Sequence, residues 1–170
     1  MLRYLFVLLV GLGGSLPVSG QATLLLPDRV FDGERMHTGW GVLMIGEVIQ
    51  AAGPPAEITV PAGATSLRLE GQTLLPGLIE GHSHLLLHPY NETSWNDQVL
   101  LESLAERVPR APVHARRTLE AGFTTVRDLG SEGAGYADVG LKQAIDKGVV
   151  PGPRMLVAGK IGRASCRERV

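Results

Sequence analysis

The chain has 170 residues, 44% hydrophobic and 19% charged, so it can bury a core and is not a disordered tail. A formal net charge of -1 excludes a general polyanion binder, because affinity for nucleic acid rests on many lysines and arginines neutralising phosphates. One cysteine excludes an internal disulfide framework and a cysteine-rich zinc site, and 22 glycines with 11 prolines announce many turns.

Residues 1–22 read as a secretory signal. Met1-Leu2-Arg3 supplies a positive start, residues 4–10 are an unbroken apolar run, and Pro17, Ser19, Gly20 and Ala22 are the breaker and small residues of a cleavage site. Cleavage after Gly20 or Ala22 is expected, with export to a periplasm or out of the cell. An uncleaved anchor is the competing reading, but the run falls short of the ~20 apolar residues of a stable membrane span.

From residue 23 to 72 the pattern is short and β-like. Thr23-Leu24-Leu25-Leu26 ends at Pro27-Asp28, Arg29-Val30-Phe31 ends at Asp32-Gly33, and Gly41-Val42-Leu43-Met44-Ile45 stops at Gly46 before Glu47-Val48-Ile49. Further breaks fall at Gly53-Pro54-Pro55, Pro61-Ala62-Gly63 and Glu70-Gly71, and residues 66–70 alternate with the period of a half-buried strand. His37 stands alone in a turn-like stretch and reads as a surface histidine.

From 73 to 160 the organisation changes to strand, helix, strand, helix, strand. Thr73-Leu74-Leu75 and Leu78-Ile79 form an apolar run split by Pro76-Gly77. Val99, Leu100, Leu104, Val108, Val113 and Leu119 give a helical spacing that passes Pro109 and stops at Gly122. Phe123-Thr124-Thr125-Val126 is strand-like, Val139, Leu141, Ala144 and Ile145 mark one face of a helix ending at Gly148, and Met155-Leu156-Val157-Ala158 is a third strand. Such alternation predicts an α/β fold with a parallel sheet and crossover helices. The last ten residues, 161–170, turn abruptly basic without apolar periodicity. They resemble the translation of a sequencing-adapter oligonucleotide and read as a non-native tail, the bland alternative being an ordinary polar terminus. The only cysteine, Cys166, lies there.

The informative segment is Leu75-Pro76-Gly77-Leu78-Ile79-Glu80-Gly81-His82-Ser83-His84. Two histidines one residue apart at the C-terminal end of a strand project to the same side, where both imidazoles can meet one metal ion. By itself the pair also fits a polar loop. Its prefix decides the matter, because the segment resembles the first-strand signature of the amidohydrolase superfamily, Pro-Gly-Leu-Ile-Asp-x-His-x-His. The chain is similar in particular to the imidazolonepropionase-like amidohydrolases, a group that includes metal-dependent Xaa-Pro dipeptidases. The likeness extends upstream to Arg29-Val30-Phe31-Asp32-Gly33 and downstream through residues 121–130 and 148–155, with Glu80 standing where Asp is usual.

The resemblance implies a TIM (β/α)8 barrel beside a small β-sandwich, and one or two divalent metals, zinc foremost, acting on a C–N bond of a cyclic amide or dipeptide-like small molecule through activated water. His82 and His84 are the metal ligands of that pattern present here. The remaining ligands and the general-base aspartate belong to later strands, so no catalytic residue is expected in this chain. A complete barrel takes ~250 residues, whereas 73–160 supplies about three strand-helix units, the truncated start of one, expected to be inactive alone. The rival reading is a short exported β-rich module that binds metal without catalysis.

Other candidates are weaker. His88, beside Pro89-Tyr90, can line a substrate pocket or be a polar loop residue. Asp128 reads as a helix cap or a partner of Arg127, or else as a group that orients a ligand. His114, next to Arg116 and Arg117, reads as part of a solvated helix face, and Trp95 and Tyr136 as loop or packing residues. The loop Gly130-Ser131-Glu132-Gly133-Ala134-Gly135 lacks the lysine and spacing of a phosphate loop. Oligomeric state leaves no readable mark.

Overall fold

The computed structural model describes residues 20–159. The tail at 161–170 and all but the last three residues of the signal segment lie outside them. Among the described residues no helix is long and apolar enough to cross a membrane. The chain divides into two compact units, one up to Leu75 and one from Pro76.

The first unit is a single five-stranded sheet. Its centre is β1 (Ala22–Phe31), which pairs antiparallel with β2 (Met36–Thr38) and β3 (Gly41–Ile45), and in parallel with β5 (Thr65–Leu74); β4 (Val48–Gly53) continues from β3. Two sequence breaks prove to be bulges. At Pro27-Asp28 the β1/β5 register shifts and the strand continues, because a bulge tolerates a residue without an N–H. Opposite it, Gly71 takes φ 73 and donates its N–H to Asp28 Oδ2 at 3.0 Å, so β5 also runs on past Glu70-Gly71. Thr73 and Leu74, read above as the opening of the α/β part, instead pair with Arg29 and Val30. Leu24, Val30, Val42 and Leu43 are the buried apolar residues of this unit.

His37 is not a lone surface residue. It sits on β2, its Nε2 is 2.7 Å from Asp32 Oδ2, and its ring stacks on Trp40 at 3.6 Å. The backbone N–H groups of Arg35 and Glu34, then His37, hold the Asp32 carboxyl far below the usual carboxylate range.

The second unit has the expected α/β alternation. Strands β6 (Leu78–Ser83), β7 (Phe123–Asp128) and β8 (Arg154–Val157) form a parallel sheet in that order. The helical stretch read as one is two, α1 (Trp95–Leu100) and α2 (Leu104–Glu120), broken at residues 101–103; Pro109 and Pro112 lie inside α2. Helix α3 (Ala137–Asp146) precedes β8, Trp95 opens α1, and Tyr136 occupies the cap position of α3. Gly122 and Gly148, at φ 95 and 69, end α2 and α3 where the sequence places the stops.

Val126 and Met155, aligned across β7 and β8, lie on the covered face of the sheet and pack with Leu85, Leu86, Ala111, Ala115, Ala134 and Leu141. On the opposite face Ile79 and Leu156 are exposed. The core therefore covers the helix side of the sheet and includes Leu85 and Leu86, which directly follow the end of β6.

Candidate functional site

The histidine pair stands where β6 ends. Between the partners Glu80↔Val126 and Ser83↔Asp128, two residues of β6 oppose one of β7, a bulge that turns His82 to the face opposite Ser83 and Asp128. At the start of the strand, Gly77 lies so close to Thr124 that a Cβ there would collide with its side chain. Glu80 Oε1 accepts the His82 backbone N–H at 2.9 Å, which makes this position a brace for the bulge.

The rings of His82 and His84 meet edge to face with centroids 5.3 Å apart. His84 Nδ1 is 3.0 Å from the Gly130 carbonyl oxygen and 3.8 Å from Glu132 Oε1. Both neighbours only accept, so Nδ1 is the donating nitrogen. The pair lines a cleft of about 600 Å³ with His88, Tyr90, His114 and Arg117. Among the described residues no group of three or more His, Cys, Asp or Glu side chains is arranged to hold a metal ion.

His88 lines the same cleft. Its ring nitrogens lie 3.5 Å from Glu92 and 3.5 Å from Glu102, and Glu102 is paired in turn with Arg110 at 2.8 Å. His114 departs from the sequence reading. It is half-buried rather than on a solvated face, donates Nδ1–H to the Leu85 carbonyl at 3.0 Å, and meets the His88 ring at 5.6 Å. Burial lowers its pKa, the Leu85 carbonyl works against that, and the charges of His88, Arg110 and Arg117 add to the lowering.

Asp128 fits neither of its two local readings. It neither pairs with Arg127 nor caps α3, but accepts the backbone N–H groups of Leu85 at 2.9 Å and Gly130 at 3.1 Å. Burial raises its pKa, while those two N–H groups oppose the rise. Arg107 went unnoticed in the sequence, where it is one of several arginines on a polar helix. It is buried, donating Nη2–H to the Ser131 carbonyl at 3.0 Å and reaching the Leu86 carbonyl with Nε at 3.5 Å. Only the fold brings those carbonyls together around it.

The amidohydrolase family model matches residues 73–168, more than half of the chain. The chain belongs to the amidohydrolase family. The match reaches Glu168, into the segment read above as foreign. Among solved structures, the chain resembles an amidohydrolase at 30% identity and TM-score 0.65, covering 82% of this chain and 32% of the other. A Xaa-Pro dipeptidase with methionine bound in its active site is similar at 25% identity and TM-score 0.66, over 82% of this chain and 33% of that one. A prolidase complexed with N-methylphosphonate-L-proline is similar at 29% identity and TM-score 0.63, with coverage of 82% and 32%. This amidohydrolase chain thus spans about one third of the length of the structures it matches. No curated protein matches it.

Proposed function

We propose that this chain is the first part of a metal-dependent hydrolase that cleaves a C–N bond in a cyclic amide or dipeptide-like substrate. In this reading β6, β7 and β8 open a (β/α)8 barrel, the five-stranded sheet belongs to a sandwich, and residues 1–22 direct export. His82 and His84 hold a divalent cation, zinc foremost, at the C-terminal end of the first barrel strand, where barrel enzymes build their active sites.

One observation carries the proposal: His84 turns Nδ1 to the Gly130 carbonyl, beside a second imidazole in an open cleft. That is the arrangement of a metal-binding histidine, one ring nitrogen held by an acceptor and the other left to face a cation. The 5.3 Å between centroids also suits the fit, since two imidazoles bound at 2.0–2.1 Å to one tetrahedral zinc stand roughly 5 Å apart. Catalytic zinc sites commonly take three protein ligands, so the rest of the set comes from outside the described residues. When bound, such a cation supplies Lewis acidity, lowering the pKa of water and polarising a carbonyl.

The chain's own residues then have distinct tasks. His82 and His84 bind, the bulge at residues 81–82 aims them, and the Gly130 carbonyl keeps His84 from swinging. His88 lines the same cleft, which supports reading it as a substrate contact beside the pair. The dipeptide-like substrate class draws support from the Xaa-Pro dipeptidase and the prolidase among the similar structures. The test is amide hydrolysis and metal content of the full-length protein beside a His82→Ala, His84→Ala double variant. Metal without hydrolysis favours the binding module, and equal metal in both proteins removes the histidines from the site.

A further inference from the structure

Asp128 takes no part in the chemistry above, yet it is buried with both oxygens committed. Oδ2 accepts from the N–H of Leu85, the residue after His84, and Oδ1 accepts from the N–H of Gly130, whose carbonyl faces His84 Nδ1. One carboxylate at the end of β7 therefore grips the two backbone points between which the His84 ring is held. Arg107 repeats the tie one residue further along, joining the Leu86 carbonyl to the Ser131 carbonyl. The two loops are thus bridged twice, by an anion that reads their N–H groups and a cation that reads their carbonyls. Such charge-assisted bonds are stronger than neutral ones. The loop after β7 needs restraint, because Glu132, a residue with a Cβ, takes φ 47.

We propose that Asp128 and Arg107 are positioning residues that clamp these loops, press the Gly130 carbonyl against His84 Nδ1, and so fix Nδ1 as the donating nitrogen and with it the orientation of the ring. The importance of that orientation rests on the reading of His84 as a metal ligand; the clamp itself stands on backbone geometry alone. An asparagine at 128 has one acceptor oxygen and one NH2 group, so it can satisfy only one of the two N–H groups.

The experiment is nitrogen-15 NMR of the histidines in the metal-free, full-length protein, followed by titration with zinc alone. The wild-type protein is expected to hold His84 as the Nδ1–H tautomer. Asp128→Asn moves a measurable fraction to the other tautomer and weakens zinc binding roughly 10- to 100-fold, the range for losing an outer partner of a ligand. Glu132→Ala removes the other acceptor near Nδ1 and leaves the tautomer unchanged. If Asp128→Asn fails to fold, Arg107→Met, which keeps the apolar stem and donates to neither carbonyl, carries the same comparison. An Nε2–H tautomer in the wild type overturns the proposal, as does a folded clamp variant with wild-type tautomer and zinc affinity, or a shift caused by Glu132→Ala instead. If the wild type binds no zinc while the tautomer still depends on Asp128, the metal reading fails and the clamp stands.

Discussion

Gln98 and His88 hold one another through the backbone: the His88 N–H donates to Gln98 Oε1 at 2.5 Å, and Gln98 Nε2 donates to the His88 carbonyl at 3.2 Å. The same amide nitrogen donates to the Thr93 carbonyl at 2.7 Å, and Gln98 is fully buried. A single side chain on α1 thus does for the loop after His84 what a strand partner would do. Replacing it by leucine keeps the bulk and strands one N–H and two carbonyls. Gln98→Leu is expected to cost about 1–3 kcal/mol, the usual penalty for unsatisfied buried polar groups. Urea unfolding of the full-length protein measures that loss, and faster amide exchange confined to residues 85–93 locates it.

His114 makes stability depend on pH. Its ordinary value is 6.5, and burial places the folded-state value below this. As pH falls through about 6.5, the unfolded chain takes up a proton that the folded chain refuses, so stability declines until the lowered folded value is passed. Above that window the contribution is fully present. Denaturation between pH 7.5 and 5 should therefore show a steeper loss for the wild type than for His114→Gln, which can still donate to the Leu85 carbonyl. Identical slopes would contradict the assignment.

The approach of Gly77 to Thr124 leaves no room for a methyl group at the root of the histidine strand. Gly77→Ala is expected to destabilise by about 1–3 kcal/mol, the common cost of overpacking. Thermal unfolding of the full-length variant checks this, and Thr124→Ala in the same chain should recover part of the loss by removing the Oγ1 and Cγ2 atoms in the way. No recovery would place the strain elsewhere.

The order of elements from residue 78 onward, apart from the break between α1 and α2, is legible in the sequence because apolar spacing and glycine stops act locally: Gly122 and Gly148 end their helices at the positive φ only glycine adopts easily. The β-rich unit is legible in content but not in continuity. Pro27 and Gly71 look like ends, and only their pairing across the sheet turns them into bulges within longer strands. The histidine pair is legible through its prefix. Its surroundings are not, since the acceptor for His84 is a carbonyl 46 residues away, and carbonyls carry no sequence signal. For the same reason Asp128 and His114 invite readings as a cap and a solvated face, while both bond the backbone of Leu85 in the loop after β6 and Asp128 also accepts from Gly130.

The central claim is that His82 and His84 together hold a divalent cation. Its most direct measurement is the zinc content of the purified full-length protein beside His82→Ala, His84→Ala and the double variant, after removal of loosely bound ions. The account predicts stoichiometric zinc in the wild type, affinity reduced at least tenfold in each single variant, and none retained in the double variant. Wild-type zinc content in a folded double variant would contradict it.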